Sequence, residues 1–223
     1  MAETYKNKTE AQNALFAAWK QESPEGIYPD GIVNEAAYEK ARTKVLFLLK
    51  EVNGDGDWDY LDFVRKGARA QTWDNITRWT HGIEQLPEQI AWREVEHIKE
   101  EDRKLHLPKI AVVNVKKTSG TGSADNEAVR QYARENRERL MAQIRLCAPE
   151  LVICCGTGEI YRQEIFALGN GLPFDGSKKY GLRYLQHEGR LVIDYFHPNS
   201  RISKRLLYFG LLDGLGELLT ARA

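Results

Sequence analysis

The sequence predicts an α/β fold, a three-layer α/β/α sandwich around a central, mostly parallel, four-stranded sheet. Two observations support this prediction: four short apolar runs alternate with helical patterns, and each run stops at a small polar cluster. The runs cover residues 45–49, 110–113, 151–155 and 191–196. Continuous apolar runs of this length are typical of strands that are buried on both faces. The segments between them would then cover the two sides of the sheet.

The remaining elements follow from helical spacing and from turn residues. In chain order, the sequence predicts helices over 10–20, 34–41, 60–69, 72–79, 88–103 and 123–147, a helix of about ten residues after Gly158, and a final helix over 203–219. Residues 183–186 and 191–195 flank Glu188-Gly189, which predicts a hairpin. Pro149 is expected to end the 123–147 helix, the longest in this prediction.

The bulk composition bounds the class of protein. A chain of 223 residues suits a single domain over 1–223, with 1–43 as an N-terminal helical segment packed on it. Lysine plus arginine and aspartate plus glutamate number 32 each, so the net charge is zero. This balance disfavours a uniformly basic nucleic-acid binder but permits a local basic face. We expect a monomer.

The cysteines and the apolar stretches indicate the compartment. Cys147, Cys154 and Cys155 show neither a disulfide framework nor metal-ligand spacing, so buried thiols and no metal or cofactor are expected. The first residues lack the apolar segment of a signal peptide, and no stretch is long and apolar enough to span a bilayer. The prediction is an intracellular, reducing, cytoplasmic setting without membrane association.

Polar clusters at the strand ends predict one site. Ligands of open parallel sheets bind beyond the carboxyl ends of the strands, because those ends share one edge. This edge would gather a carboxylate, amides, a cation and an imidazole, from Glu51, Asn53, Asn114, Lys117, His197 and Asn199. Such groups suit recognition of a planar polar ligand beside acid–base or electrostatic chemistry.

Each of these groups has a chemical and a structural interpretation. Glu51 can position water or stabilise a sugar cation, or it can be a solvated loop acid. Asn114 can pair with the ring N–H and carbonyl of a pyrimidine, or it can bond a neighbouring loop. Pro198 biases His197 toward an extended conformation, and a neutral imidazole there can donate to a carbonyl that gains charge; a structural role is the alternative.

Taken together, these motifs resemble the uracil-DNA glycosylase superfamily. Lys50-Glu51-Val52-Asn53-Gly54 is similar to the first motif, Gly-Glu-x-Pro-Gly, of its iron–sulfur branch. The sequence Val113-Asn114-Val115-Lys116-Lys117 is similar to Thr-Asn-Val-Val-Lys, the 151–158 segment to the third strand and its turn, and His197-Pro198-Asn199-Ser200 to His-Pro-Ser. The resemblance extends over about 45–219.

The resemblance implies a role for each matched residue. Glu51 would orient water, with Asn53 beside it in the catalytic motif, Asn114 would bind uracil and His197 would hold the uracil carbonyl. An aromatic residue would stack on the base; Trp73 is the first candidate and Trp58 the second, with a role in packing as the alternative for both. The loop after His197 would enter the minor groove of DNA, and the expected nucleic-acid contacts are Lys116, Lys117, Asn199, Ser200, Arg201 and Lys204.

Two departures from the family pattern bear on activity. Lys50 replaces a glycine and Asn53 replaces a proline in the first motif, which affects water placement. The iron–sulfur branch needs four cysteine ligands, whereas this chain has three in unsuitable positions, so no cluster is expected.

The sequence therefore leads to three functional hypotheses. The first is a DNA glycosylase that removes a deaminated or damaged base, most simply uracil, from single- or double-stranded DNA. The second is a catalytically silent module of the same fold that binds a nucleotide, nucleic acid or a protein. The third is a hydrolase of free nucleosides or nucleotides. A serine hydrolase is disfavoured because the sequence has no Gly-x-Ser-x-Gly motif.

Overall fold

The computed structural model describes residues 5–23, 26–54, 56, 58–120 and 124–220. The strands are β1 (Gly31–Ile32), β2 (Val45–Asn53), β3 (Ala111–Gly120), β4 (Leu151–Cys155), β5 (Asp175–Gly176), β6 (Arg183–His187) and β7 (Arg190–Tyr195). The α-helices are α1 (Lys8–Gln21), α2 (Glu35–Lys40), α3 (Tyr60–Arg65), α4 (Ala70–Gln85), α5 (Trp92–Val95), α6 (Glu100–His106), α7 (Asn126–Glu135), α8 (Arg137–Cys147) and α9 (Lys204–Thr220).

The strands form one mixed sheet of seven, in the order β1-β3-β2-β4-β7-β6-β5. The α/β class is thus confirmed, but the predicted number of four strands is wrong. The four predicted apolar runs lie in β2, β3, β4 and β7, which pair in parallel at the centre. Antiparallel strands extend the sheet at both sides, β1 beside β3 and the pair β6 and β5 beside β7.

Helices cover both faces of the sheet, because alternate strand residues point to opposite sides. On one face Phe47 packs in a cluster with Trp79 of α4 and Leu211 of α9. On the other face Leu48 packs in a second cluster with Trp19 of α1 and Ile144 of α8. Since these clusters are large and apolar, the sheet is buried on both sides.

Two predicted helices are interrupted. The 88–103 prediction corresponds to the separate helices α5 and α6, and α6 begins where Asp102 accepts a hydrogen bond from the Lys99 N–H at 2.8 Å. The helix predicted over 123–147 is divided at Asn136 into α7 and α8. The Asn136 side-chain amide donates to the Tyr132 carbonyl at 3.1 Å, and the backbone of this residue is not helical. The first residue of the predicted helix, Ser123, lies outside the described residues. The longest described helix is instead α9, with 17 residues.

The N-terminal segment is tied into the sheet. The Gln12 side chain accepts a hydrogen bond from the Ile32 N–H at 2.8 Å, which joins α1 to β1. Asp30, immediately before β1, is fully buried beside β3. The segment therefore contributes a strand and a buried carboxylate as well as the predicted helices. No helix in the described part of the chain combines the length and the apolar character needed to cross a bilayer.

Candidate active site at the carboxyl edge of the sheet

The carboxyl ends of the four parallel strands lie along one edge of the sheet. Glu51 of β2 is in register with Lys116 of β3 on one side of this edge. Gly156, directly after β4, is joined to the end of β7, because its N–H donates a hydrogen bond to the Tyr195 carbonyl at 2.7 Å. His197 lies two residues after Tyr195, the last residue of β7. Glu51 and His197 therefore both lie at this edge, at the ends of β2 and β7, which are separated by β4.

Glu51 is held against the end of β3. Its carboxylate accepts a hydrogen bond from the Lys116 ammonium at 3.0 Å, and its side chain is only 8% exposed. Lys116 also donates to the Ser119 carbonyl at 3.3 Å. A Cβ atom at position 120 would overlap the Glu51 carboxylate, so Gly120 leaves the space that the carboxylate occupies. The acid is thus fixed in position and paired with Lys116.

His197 begins a tight turn that fixes its imidazole. The Ser200 N–H donates to the His197 carbonyl at 2.9 Å, with Pro198 at the second position of the turn, where its fixed φ fits. The Asn199 N–H donates to His197 Nδ1 at 3.1 Å. In the neutral ring an Nδ1 atom that accepts a hydrogen bond carries no proton, so Nε2 carries it and is a donor.

The surroundings of His197 favour this neutral form. Burial lowers its pKa from the ordinary value of 6.5, and the nearby positive charge of Lys50 lowers it further. Lys50 is itself held by a hydrogen bond of 2.8 Å to Asn126 of α7, and its side chain packs against Gly156. At neutral pH the site therefore presents an uncharged N–H donor with a cation beside it.

Asn114 lies within the sheet and is 1% exposed. Its backbone N–H and its Nδ2 atom both donate to one oxygen of Asp30, at 2.7 and 3.1 Å. The amide nitrogen that we expected to bind a base is therefore occupied. Its Oδ1 atom is buried and has no hydrogen-bond partner among the described residues. Burial raises the pKa of Tyr60, and a side-chain hydrogen bond from Asn114 opposes that rise. A group that lowers the pKa of a phenol donates to it, so this contact involves the Asn114 nitrogen and not Oδ1.

The structure contradicts the predicted phosphate contact of Lys117. Its side chain is fully buried and its ammonium lies 2.7 Å from Asp30. The rings of Phe16 and Trp19 of α1 lie 5.6 and 5.5 Å from the same nitrogen. Burial lowers the pKa of Lys117, and the charge of Asp30 opposes this effect. Lys117 points to the opposite face of the sheet from Lys116, because neighbouring residues of a strand face opposite sides.

The aromatic candidates lie in packed surroundings. Trp73 of α4 is buried in the hydrophobic core, with its ring 6.2 Å from the Tyr60 ring, so the structure contradicts its role as an open stacking platform. Trp58 is half-buried and its ring packs between Tyr28 and Phe63, each at 5.3 Å. Trp58 lines a cavity of about 840 Å³ between α1, β1 and α3, which Glu51, Asn114 and His197 do not line.

The other predicted contact residues lie near the His197 turn. Asn199, Arg201 and Lys204 are exposed, as a role in binding DNA requires. The Ser200 hydroxyl is buried and, within the described residues, has no hydrogen-bond partner. Asn53 ends β2 in an exposed position, and nothing ties its side chain to Glu51.

The cysteines do not form a chemical site. Cys147, Cys154 and Cys155 are free and buried, and burial raises the pKa of the Cys147 thiol to about 12. In the parts of the chain that the structure describes, no three His, Cys, Asp or Glu side chains are grouped so as to hold a metal ion.

Asp30, Asn75 and Arg78 are among the buried polar residues that sequence reasoning missed. Asp30 lies between turn residues, which gave no sign of burial. Asn75 and Arg78 belong to an amphipathic helix, where polar residues are usually solvated. Comparison with known proteins adds no assignment, because no family model matches the chain and no curated protein matches it significantly.

Proposed function

We propose that this protein hydrolyses the N-glycosidic bond of a deaminated or damaged base in DNA, most simply uracil, after the base has left the helix. The observation that carries the proposal is the His197 turn, which leaves a neutral Nε2–H donor at the edge that also holds the Glu51 carboxylate. A donor stabilises the charge that develops on the carbonyl of the departing base. A carboxylate orients water or stabilises the sugar cation.

The uracil-DNA glycosylase-like fold is part of the same proposal. Its support is that the four motif-bearing segments are neighbouring parallel strands, so their ends converge on one edge. Base recognition would fall to Asn114 Oδ1. A buried acceptor without a partner costs about 1–3 kcal/mol, and the ring N–H of uracil would satisfy it. Access to this atom requires movement of the side chains that bury it, with Tyr60 among its neighbours.

Excision of uracil from single- and double-stranded oligonucleotides tests the proposal directly. We expect release of free uracil by the wild-type protein and a loss of about 10²–10³-fold in kcat for His197→Leu. Glu51→Gln should also reduce kcat strongly, whereas Lys66→Met, on the surface of the α3 end, should behave as wild type. If the purified protein releases neither uracil, hypoxanthine nor a mismatched base, the proposal is wrong.

A catalytically silent nucleic-acid-binding module is the second candidate, and two contacts favour it. Lys116 occupies the Glu51 carboxylate, and Asp30 occupies the Asn114 nitrogen. This candidate predicts DNA binding that weakens steeply with salt, without base release and without any effect of Glu51→Gln. Turnover of free nucleosides without DNA would instead support the small-molecule hydrolase.

A further inference from the structure

A buried chain of polar contacts leads from α5 through α4 to the His197 turn. Asn75 Nδ2 donates to the Pro198 carbonyl at 2.6 Å, across 123 positions of sequence. Asn75 Oδ1 in turn accepts a hydrogen bond from the Arg78 guanidinium at 2.6 Å. Both side chains belong to the interior face of α4.

The orientation of the Asn75 amide is fixed by this arrangement. A guanidinium has donors only, so the atom that faces Arg78 must be the amide oxygen. The nitrogen then points at Pro198, whose carbonyl needs a donor because it is buried. No rotation of the amide by 180° keeps both contacts, since it would place nitrogen against guanidinium and oxygen against carbonyl.

Arg78 is an unusual residue to find in this position. It is 1% exposed, and among the described residues no carboxylate lies within ion-pair distance of it. Burial lowers the pKa of Arg78, and the charges of Asp74 and Glu96 oppose this effect. The other donors of Arg78 bind the backbone carbonyls of Val95 at 2.6 Å and Glu96 at 3.0 Å. A buried cation without a carboxylate in direct contact is costly, and several hydrogen bonds help to offset that cost. The cation thus serves to hold carbonyls and Asn75 in place.

We propose that Asn75 is a positioning residue for His197, and that Arg78 fixes Asn75 for this role. Asn75 holds the Pro198 carbonyl, which sets the turn; the turn brings the Asn199 N–H onto Nδ1 of the imidazole; and Nε2 is left as the donor at the sheet edge. This inference rests on the proposed function for its chemical meaning, but the geometry of the turn can be measured without any activity.

Two substitutions at position 75 separate positioning from stability. Asn75→Asp keeps an acceptor for Arg78 and adds an ion pair, but it places an oxygen against the Pro198 carbonyl. Asn75→Leu removes both contacts in a similar volume without adding charge. Thr80→Val is the control, because it removes a buried hydrogen bond of the same helix, that of the Thr80 hydroxyl to the Ile76 carbonyl, at a site away from the turn.

The primary measurement is the ¹⁵N NMR spectrum of the histidine side chains, with His197 assigned from His197→Leu. In the wild type we expect an unprotonated Nδ1 and a protonated Nε2. In both Asn75 variants we expect mixed tautomers, and in Thr80→Val the wild-type spectrum. The spectrum of either folded Asn75 variant suffices, so the loss of one variant to misfolding does not end the test.

Kinetics supply the second measurement if the wild type excises a base. A positioning role predicts a fall in kcat of about 10- to 100-fold with little change in KM for the Asn75 variants. If the His197 spectrum is the same in wild type and in a folded Asn75 variant, the positioning role is wrong, whatever the activity. If no base is excised but the tautomer shifts, the proposed function fails and the positioning of His197 stands.

Discussion

The buried pair of Lys117 and Asp30 offers the sharpest test of the structure. Lys117→Met keeps the apolar stem against Phe16 and Trp19 but removes the ammonium, 2.7 Å from Asp30. At an effective dielectric constant of about 20, two unit charges at this distance attract by about 6 kcal/mol, which offsets the cost of burying both. Without Lys117 the Asp30 carboxylate would stay buried without its cation.

The expected loss in the free energy of unfolding of Lys117→Met lies near the lower end of the range for broken buried ion pairs. Breaking a buried ion pair by removal of one partner costs about 3–5 kcal/mol. Asp30 would keep three hydrogen bonds, two from Asn114 and one of 2.7 Å from Gln143, so we expect about 3 kcal/mol. A domain is stable by only about 5–15 kcal/mol, which makes this loss easy to measure.

Urea unfolding followed by tryptophan fluorescence is a suitable assay. The double variant Asp30→Asn/Lys117→Met should recover most of the lost stability, because it removes both charges. Lys66→Met is the control: its partner is Asp62, and both side chains are well exposed, so a loss of less than about 1 kcal/mol is expected. An unchanged unfolding midpoint for Lys117→Met, together with a shallower salt dependence of DNA binding, would refute the buried assignment and restore the phosphate contact.

Three other predictions concern the sheet edge. Gly120→Ala should reduce activity to the level of Glu51→Gln in an excision assay, because the added Cβ overlaps the Glu51 carboxylate. Burial and Lys50 lower the pKa of His197, so the folded state binds fewer protons at this residue than the unfolded state does. The contribution of neutral His197 to stability is therefore present above pH 6.5 and is lost as the pH falls through the lowered pKa. Unfolding midpoints of the wild type and of His197→Leu, measured between pH 4.5 and 7.5, test this. Arg201→Ala and Lys204→Ala should each reduce the salt slope of DNA binding by about 1, measured by titration at several salt concentrations, and an unchanged slope would exclude that residue from the phosphate contacts.

The central strands could be predicted because their apolar runs are long enough to show burial on both faces. The short strands β1 and β5 could not, since two residues show no periodicity and form only by pairing with a neighbour. The break at Asn136 was hidden by apolar spacing that continues across it, although asparagine competes for backbone hydrogen bonds. Local pattern thus predicted the strands and missed what depends on single polar contacts.

For the candidate site, the sequence indicated the constrained histidine but not the partner of the polar residues of β3. The His197-Pro198 pair signalled a constrained imidazole, and the structure places it in a tight turn with Nε2 as the donor. The polar residues of β3 signalled an unusual strand but not the identity of its partner. A buried amide and a buried lysine need hydrogen-bond partners, and a sequence does not tell whether a ligand or a distant residue supplies them. Here Asp30, more than 80 positions away, supplies them.

The atoms that Asp30 leaves open bear on which bases the site would accept. Asp30 takes the nitrogen of Asn114 and leaves its buried Oδ1, which only accepts hydrogen bonds. Uracil and hypoxanthine carry a ring N–H, whereas the matching ring nitrogens of cytosine and adenine are acceptors and would leave Oδ1 unpaired. Because a buried unpaired acceptor is costly, an Asn114 held in this way favours uracil over cytosine and hypoxanthine over adenine, whereas thymine and guanine also carry a ring N–H and are not excluded by this contact. The Asp30 contact that occupies the Asn114 nitrogen would therefore leave Oδ1 to separate uracil and hypoxanthine from cytosine and adenine, the bases from which deamination produces them.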